Sequence, residues 1–432
     1  MLPSVRVVIV DHDGGARTLA AIASVIEDPW AGPREVVLVD NASRAPAVDA
    51  VHARYPEVVI RLSTRNLGFA GGCNLGIGDP SEVDLIALVN NDATVTPGWL
   101  ESLAGALSED QGLAAAMPKV VLEGEYRSTR IRTPGGRDGL VRLHEASVAG
   151  IHARPRLRSG FLGPEGVTRR SHGYQRLERD AELFAPVNGE GSSTLHLLLS
   201  SPSSALVHVE AGGASTEIRL RPEPTGVDIA LEGPRLQLIN STGVFLTADQ
   251  RGADRGWLEI DDGRWDDPGP IEAWSGSAVL LRASHLLDVG LFDESLFLYW
   301  EDVELAWRAA RHGWRFAYVP AATARHVHSA TAIEGSPLAT YHVERNRLLV
   351  LSRHAPARVA WSAALRAIRV LGSYVVRDIF RPPFRLERPS FSEPAVRARA
   401  LAGYARRLPG ALRARFGDRH RFGRPWLLGS RR

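Results

Sequence analysis

Glu301 and Asp302 are neighbouring carboxylates between an aromatic segment, Leu298-Tyr299-Trp300, and a run in which Val303, Ala306, Trp307, Ala310 and Trp314 recur at helical spacing. That spacing predicts a helix beginning at the acids. A carboxylate at a helix start is favoured by the helix N-terminus and held by its cap, as a general base requires. An isolated Glu-Asp pair is more simply a helix cap, so the rest of the chain decides between the two readings.

Further residues of this kind stand at the ends of apolar runs. Asp40 can accept from a pyrimidine N3–H, or cap a helix within Asp40-Asn41-Ala42-Ser43. Asp92 follows Asn90-Asn91 and can hold Mg²⁺ or Mn²⁺ through carboxylate oxygen, with Asn91 and a ribose nearby. The same string is also good turn chemistry. The glycine-rich run from Arg65 to Asn74 has a backbone able to approach a diphosphate, although it lacks the G-x-G-x-x-G spacing. His326 and His328 flank Val327 after another apolar run and can offer a metal or phosphate contact. Base recognition, diphosphate neutralisation and deprotonation of a hydroxyl are together what sugar transfer from a nucleotide diphosphate needs.

Elements must bring these residues together. Residues 5–10, 35–39 and 85–89 are short, nearly continuous apolar runs, and helical patterns occupy 18–26 and 47–55. Such alternation predicts a parallel sheet covered on both faces, with ligands beyond the carboxyl ends of its strands. Those ends carry Asp11-His12-Asp13, Asp40-Asn41 and Asn90-Asn91-Asp92. After about residue 140 the pattern changes to period-two alternation, as in Val207/Val209, Ile218/Leu220, Val227/Ile229/Leu231 and Leu236/Leu238, punctuated by turn residues. This predicts a β-sandwich inserted between two halves of an α/β domain, with a meandering sheet extension as the alternative. Strands resume at 278–282 and 315–319, and 338–380 reads as helices, with an amphipathic stretch near 360–376.

At 432 residues, 44% hydrophobic and 23% charged, the chain can bury a sizeable core and reads as two or three domains. Cys73 is the sole cysteine, which excludes an internal disulfide and a cysteine-built metal site and fits a reducing compartment. The N-terminus enters a strand without a secretory pattern, and no uninterrupted apolar stretch approaches the roughly eighteen residues of a membrane span. Positive charge is concentrated late: residues 351–432 hold nineteen Arg against four acids, and Lys119 is the only lysine in the chain. That tail is a candidate for anionic partners or for plain solvation, and its last fifty residues are expected to be partly disordered.

In order, VVLVDNAS, RNLGFAGGCNLGI, LIALVNNDATVTPGWL, WSGSAVLLR, GLFDESLFLYWEDVELAWRAARHGWRFAYVP and ARHVHSAT resemble glycosyltransferase family 2. They are most similar to its rhamnosyltransferase and galactofuranosyltransferase-like branch of bacterial envelope polysaccharide assembly. The resemblance covers roughly residues 1–125 and 240–350. It implies an α/β, Rossmann-like GT-A fold, with a nucleotide-sugar half at 1–140 and an acceptor and catalytic half at 240–345. The alternation and charge read above give, outside the resemblance, an inserted all-β, sandwich-like domain at 141–239 and a helical, Arg-rich region at 346–432.

The resemblance also implies roles. Asn90-Asn91-Asp92 takes the place of the family's Asp-x-Asp-like motif and keeps only its last acid, so Asp92 becomes a metal ligand. His326 is its partner, with His328 as the fallback. Asp302 becomes the base, Glu301 its neighbour, and Asp40 the base-recognising acid. The donor would meet Asp40, Asn41, Asn66, Gly71, Asn74, Asn91 and Asp92. The acceptor would meet the turn Trp274-Ser275-Gly276 and Trp300, the last being equally suited to core packing. Where relatives often carry a Thr/Asn-Tyr-Asn string on the first strand, this chain has Asp11-His12-Asp13.

The expectation is thus an inverting, Mn²⁺- or Mg²⁺-dependent enzyme. It would transfer sugar from a UDP- or dTDP-sugar to a lipid-linked or polysaccharide acceptor. It would be cytoplasmic and peripheral at the inner face of the plasma membrane, with an anionic surface met by the Arg-rich C-terminus and no nucleic acid partner. Two alternatives are a degenerate domain that scaffolds glycan through its β-rich insert, and a nucleotidyltransferase. The latter needs a basic phosphate-gripping loop, for which Asp13-Gly14-Gly15-Ala16-Arg17 offers one arginine.

Overall fold

The apolar runs become strands and the amphipathic runs become helices in the computed structural model, which describes residues 1–134, 140–165, 174–189, 193–328, 336–382 and 389–417. In chain order the first elements are β1 (Val5–Asp11), α1 (Ala16–Ile26), β2 (Arg34–Asn41), α2 (Val48–Arg54), β3 (Val59–Ser63), α3 (Gly68–Ile77), β4 (Leu85–Asn90), β5 (Ala93–Val95), α4 (Trp99–Glu109) and β6 (Leu113–Leu122). A run of strands follows: β7 (Glu125–Arg132), β8 (Val141–Val148), β9 (Arg156–Glu165), β10 (Tyr174–Val187), β11 (Ser193–Ser200), β12 (Ala205–Ala211), β13 (Ala214–Leu220) and β14 (Thr225–Leu231). The last part holds β15 (Ile239–Ser241), β16 (Val244–Leu246), β17 (Gly252–Asp254), β18 (Gly269–Pro270), β19 (Ala278–Arg282), α5 (Ala283–Val289), α6 (Glu301–Arg311), β20 (Arg315–His326), α7 (Pro337–His354), α8 (Ala357–Val375) and α9 (Ser392–Gly417).

The chain divides into two compact units. One comprises Met1–Val121, Asn240–Trp257 and Asp262–Arg432, the other Leu122–Ile239 and Leu258–Asp261. In the first, the main sheet runs β18-β20-β6-β19-β4-β1-β2-β3. Strands β3, β2, β1 and β4 are parallel, whereas β19 runs antiparallel to both β4 and β6. The chain builds outward from β1 to β3 and then returns to place β4 on the other flank of β1. This reversal opens a crevice at the carboxyl ends of β1 and β4, where doubly wound sheets bind ligands. Register puts Asp11 opposite Asp40 and Val10 opposite Asn90, so the polar strand ends lie at one level.

The glycine-rich run does not form a phosphate loop. It is helix α3, whose Gly72 and Gly76 lie on β1, where an added Cβ would stand 2.5 Å from Val10 Cγ1 and 2.2 Å from Val8 Cγ1 respectively. Their missing side chains let helix and sheet approach closely, which accounts for the composition without a ligand.

The second unit is an antiparallel sheet in the order β13-β12-β7-β10-β8-β11-β14, with β9 against β10. Alternate residues such as Val207, Val209, Val227 and Ile229 face its core. Gly212, beside β13, lies where a Cβ would meet the Glu232 carbonyl oxygen at 2.0 Å, just past β14. The two ends of the sheet therefore meet, and the sandwich-like packing comes from one sheet curled over itself. Leu236 and Leu238 make only isolated bridges, to Tyr126 and Ile260.

Much of the basic tail is ordered structure. α9 carries Pro409 in its interior, yet it packs on α7 and α8 and buries Val396, Ala400 and Ala411, so tertiary contact outweighs the local breaker. Arg397 pairs with Glu344 at 3.2 Å, and Arg415 donates to the carbonyls of Ser352 and Ala355 at 3.0 and 2.6 Å. These arginines serve the fold. The expected disorder is thus replaced by a helix over Ser392–Gly417, and residues 418–432 lie outside the described residues.

Candidate active site

At the end of β1, Asp11 is buried and its Oδ1 accepts from Gly14 N–H (3.0 Å), Thr18 Oγ1 (2.6 Å) and Asn91 Nδ2 (2.8 Å). Gly14 is required here, because a Cβ would stand 2.3 Å from both Asn91 Nδ2 and Thr18 Oγ1. Asp11 thus ties the switch-point ends of β1 and β4 together. Beside it, His12 Nδ1 lies 3.1 Å from the Asn41 carbonyl, and Asp13 accepts from Arg44 N–H at 2.6 Å. Sequence reasoning flagged this departing string but assigned it no part in the site.

On β2, Asp40 accepts from Ser43 N–H at 3.2 Å in a local turn, so it is not the cap of a helix. The N-cap position of α2 is Ala47. Asn41 is buried and its amide binds the segment before α3: Nδ2 donates to Gly68 O (2.9 Å) and Asn66 Oδ1 (3.3 Å), and Oδ1 accepts from Leu67 N–H (2.8 Å). Asn66 and Asn41 therefore form one polar clasp at the β2 end. Asn74 is a correction to the expected donor set: its amide is occupied by Phe292 on both sides, donating to O and accepting from N–H at 3.0 Å each, and by Glu294 at 3.1 Å. Gly71 is likewise inside α3, buried and 2.8 Å from Leu67 Cβ at its Cβ position. Gly71 is buried, and Asn74 stays partly exposed with its amide engaged by Phe292 and Glu294.

Asp92 and His326 come together across 234 residues of sequence. β20 pairs with β5 so that His326 faces Ala93, and His326 Nε2 lies 3.0 Å from Asp92 Oδ1. The other ring nitrogen, Nδ1, lies 2.6 Å from Asn240 Oδ1, an acceptor, so Nδ1 carries a proton. Nε2 then faces a carboxylate, and a contact at this distance needs a proton or a cation between the two atoms. The buried Asn90 Oδ1 beside this pair has no hydrogen-bond partner, while its Nδ2 lies 3.5 Å from His326 Nε2. Hard oxygen, imidazole nitrogen and a carboxamide fixing the imidazole fit a divalent cation. Among the described residues no group of three His, Cys, Asp or Glu surrounds such a site, so the remaining ligands would come from a bound molecule and water. His328 instead stacks near Trp257, 4.6 Å between ring centroids. Asn240 was invisible in the sequence, because nothing local marks it.

The acid pair arrives on a strained lead-in. Phe297, Tyr299 and Trp300 all have positive φ (68°, 66° and 73°), a conformation that costs non-glycine residues energy and persists only where the surroundings impose it. Asn346 of α7, fully buried, imposes it: its Nδ2 lies 2.8, 2.9 and 2.7 Å from the carbonyls of Leu296, Leu298 and Tyr299. Arg345 Nη2 reaches Ser295 O and Leu296 O at 3.1 and 2.8 Å, and its Nε donates to Asn346 Oδ1 at 2.8 Å. Behind the pair, Glu304 is buried among Arg308 (2.9 Å), Arg353 (2.7 Å) and His354 (3.1 Å), which joins α6 to α7.

Asp302 Oδ2 accepts from Gly276 N–H (3.1 Å) and Oδ1 from Val303 N–H (2.7 Å). The neighbouring Ser277 carbonyl accepts from Asn90 N–H at 2.9 Å, so the turn before β19 links the acid pair to the end of β4. Burial pushes the Asp302 carboxyl up from its ordinary range, while these two N–H groups pull the other way. Glu301 is pushed up much further, first by burial and then by the adjacent charge of Asp302, and its buried Oε2 has no partner. The environments therefore separate two like groups: both carboxyls are pushed up by burial, Glu301 the further, and only Asp302 has two N–H groups opposing the rise.

The expected acceptor contacts change with the structure. Trp274 is fully buried against Phe292 and cannot meet an acceptor. Trp300 is 8% exposed, part of the core, with its indole against Gly252, so packing is its role. Ser275 remains partly exposed with its Oγ 3.1 Å from Ser277 Oγ, and Gly276 orients Asp302 through its N–H.

Comparison with known proteins places the chain among glycosyltransferases. Residues 7–161 match the model of glycosyl transferase family 2, and residues 269–348 match glycosyltransferase like family 2. Together they cover more than half of the chain. N-acetylglucosaminyl-diphospho-decaprenol L-rhamnosyltransferase from two strains of Mycobacterium tuberculosis is 38% identical over 99 residues, 22% of this chain. The chain spans about a third (31%) of the length of these relatives. GalNAc-T7 with UDP, GalNAc and Mn²⁺ superposes with a TM-score of 0.43 at 13% identity, over 82% of this chain and 49% of that one. The Pyrobaculum calidifontis mannosyltransferase PcManGT with GDP-Man and Mn²⁺ gives 0.39 at 11%, over 95% and 88%. The fold assignment rests on strand order rather than on these superpositions: parallel β3-β2-β1-β4 continued by antiparallel β19 is a GT-A sheet. With both family models in their proper order along that sheet, the chain belongs to glycosyltransferase family 2.

Proposed function

We propose that this protein is an inverting glycosyltransferase that moves a sugar from a nucleotide diphosphate to a hydroxyl of a lipid-linked or polysaccharide acceptor in envelope glycan assembly. The observation that carries the reading is the convergence at the β1/β4 switch point of Asp92 facing His326 and of Asp302 oriented by Gly276. Asp40 at the neighbouring strand end is the group to accept from the base of a UDP- or dTDP-sugar. Asn41, Asn66 and Asn91 lie at the neighbouring strand ends, where they would flank the donor.

Asp302 accepts the acceptor hydroxyl's proton as the oxygen forms its bond to the anomeric carbon. The bond from that carbon to the diphosphate oxygen breaks on the opposite face, and its electron pair leaves with the diphosphate. Configuration inverts. Asp92 and His326 would hold a Mg²⁺ or Mn²⁺ ion, which when bound supplies positive charge for the leaving diphosphate. Asn240 keeps the His326 lone pair turned toward that position. Glu301, its carboxyl pushed well up by burial and unpartnered on one oxygen, is suited to donate to the acceptor or to orient its neighbour.

The relatives' name specifies a rhamnosyl donor and a diphospho-polyprenol acceptor, which favours a lipid-linked acceptor here. An enzyme using one would work at the cytoplasmic face of the membrane. The test is nucleotide release from a panel of UDP- and dTDP-sugars with and without Mn²⁺ or Mg²⁺. Asp302→Asn should lower turnover about 10²–10⁴-fold. Full turnover in that variant, or no binding of any nucleotide sugar by the parent, refutes the proposal.

A further inference from the structure

The C-terminal helices carry a surface that neither the site nor the core explains. α8 packs on α7 and α9 through the side that buries Ala363. On its opposite side Trp361, Leu365 and Ile368 follow at i, i+4 and i+7 and are 69%, 51% and 57% exposed. Val376 and Phe380 extend the exposed apolar surface past the helix end. Along one flank of this stripe run Arg358 and Arg369, both exposed, and α8 contains no acidic residue. A solvent-facing helix surface is ordinarily polar. Here large side chains face outward, and the core side is built from Val359, Ala360, Ala363, Ala364 and Ala367, of which only Ala363 is fully buried.

We propose that this face of α8 lies in the surface of an anionic lipid bilayer, with Trp361, Leu365 and Ile368 at the acyl boundary and Arg358 and Arg369 against headgroup phosphates. A tryptophan and branched aliphatics beside an all-basic flank have the composition of an in-plane interfacial helix. The charge favours anionic lipid over a protein partner of mixed charge. Ala357–Phe380 is also long and apolar enough to cross a membrane by length and composition. Crossing would put Arg366 and Arg369 near the bilayer centre and strip the Ala363 side from α7 and α9, so the in-plane arrangement is favoured. This moves the basic membrane contact from the distal tail to α8. It deepens the lipid-linked acceptor reading by giving the enzyme a way to reach an acceptor anchored in lipid.

The test is co-sedimentation of the full chain with vesicles of phosphatidylcholine, with and without phosphatidylglycerol. The parent should bind the anionic vesicles and be released by high salt. W361S/L365S/I368S should weaken binding about tenfold or more, and Arg358→Gln with Arg369→Gln roughly fivefold per charge. Replacing Arg419, Arg421 and Arg424 with Gln should leave most of the binding. As a second measure, lipids brominated in the acyl chain should quench the parent's fluorescence more than that of Trp361→Phe. Parent-like binding by the triple apolar variant, or loss of binding only in the tail variant, overturns the proposal. So does resistance of the bound parent to alkaline carbonate, which marks a span, or a parent dimer that dissociates in the triple variant without any vesicle binding. Turnover with a water-soluble acceptor analogue separates this from the catalytic reading. Normal turnover without vesicle binding refutes the docking alone, and vesicle binding without turnover supports docking while refuting transfer.

Discussion

Replacing Asn346 with Asp tests how the base is held. The side chains are nearly the same size and shape, but the substitution exchanges an NH₂ group for a carboxyl oxygen facing three carbonyls at 2.7–2.9 Å. Each lost hydrogen bond is worth about 1 kcal/mol net, and a buried carbonyl left without a donor costs about 1–3 kcal/mol. Phe297, Tyr299 and Trp300 already store roughly 1 kcal/mol or more each at positive φ. The combined penalty, at least about 3 kcal/mol, exceeds what the segment loses by relaxing to ordinary φ, so relaxation is the expected response. Asp302 lies two residues past that segment, and a shift of about 1 Å can cost on the order of 10²-fold in rate. With a transfer assay in hand, kcat should fall about 10²-fold while KM for the donor stays within about twofold. Asp40 and Asn41 stand at the end of β2 and Asn91 and Asp92 just past β4, while the perturbed segment meets α3 through the Phe297 carbonyl and Ala70 N–H at 3.3 Å. Donor-binding calorimetry and Tm establish that the variant is folded. Unchanged kcat with unchanged Tm, or a rise in donor KM as large as the fall in kcat, refutes the positioning role.

Glu301 should give a pH signature. Its folded carboxyl is pushed well above the ordinary 4.5, so the native state binds more protons than the unfolded one, and stability falls as pH rises from about 4.5 toward the folded value. Glu301→Gln should flatten that slope in urea titrations between about pH 5 and about pH 8; an unaltered slope counts against it. Glu304 is the opposite case, with Arg308, Arg353 and His354 holding its carboxyl far below the usual range against the cost of burial. Its contribution is present above the ordinary pKa and lost only in strong acid. Glu304→Gln should therefore cost about 1.5–3 kcal/mol at neutral pH by weakening the charged bonds to Arg308, Arg353 and His354, with Asp293 still pairing Arg353, and a loss under about 1 kcal/mol would contradict the network. Asn240→Ala should weaken Mn²⁺ binding in the presence of UDP about tenfold by releasing the His326 ring, measured by the paramagnetic signal of free Mn²⁺. Equal affinity would show that the ring orientation does not matter.

Much of this protein follows from local sequence. Apolar runs of strand length ending in acids and amides announce a parallel sheet with its chemistry at one edge, and β1, β2 and β4 follow those runs closely. Alternation along β12 and β14 and the helical spacing of α6 and α8 are equally local. Residue type near the site was informative for the same reason: strand ends are where a parallel sheet leaves polar groups.

Other features depend on partners distant in sequence. Glycines in α3 look like a phosphate loop until β1 is seen to lie against Gly72 and Gly76, and Trp274 looks like a sugar platform until Phe292 covers it. Asn240 and Asn346 carry no local mark, because a buried amide acquires its purpose from the donors and acceptors the fold brings to it. The division of labour in the acid pair has the same origin. Sequence puts Glu301 and Asp302 side by side at a helix start; the Gly276 N–H, arriving from the turn before β19, opposes the upward push of burial on Asp302 and leaves Glu301 the more strongly raised of the two.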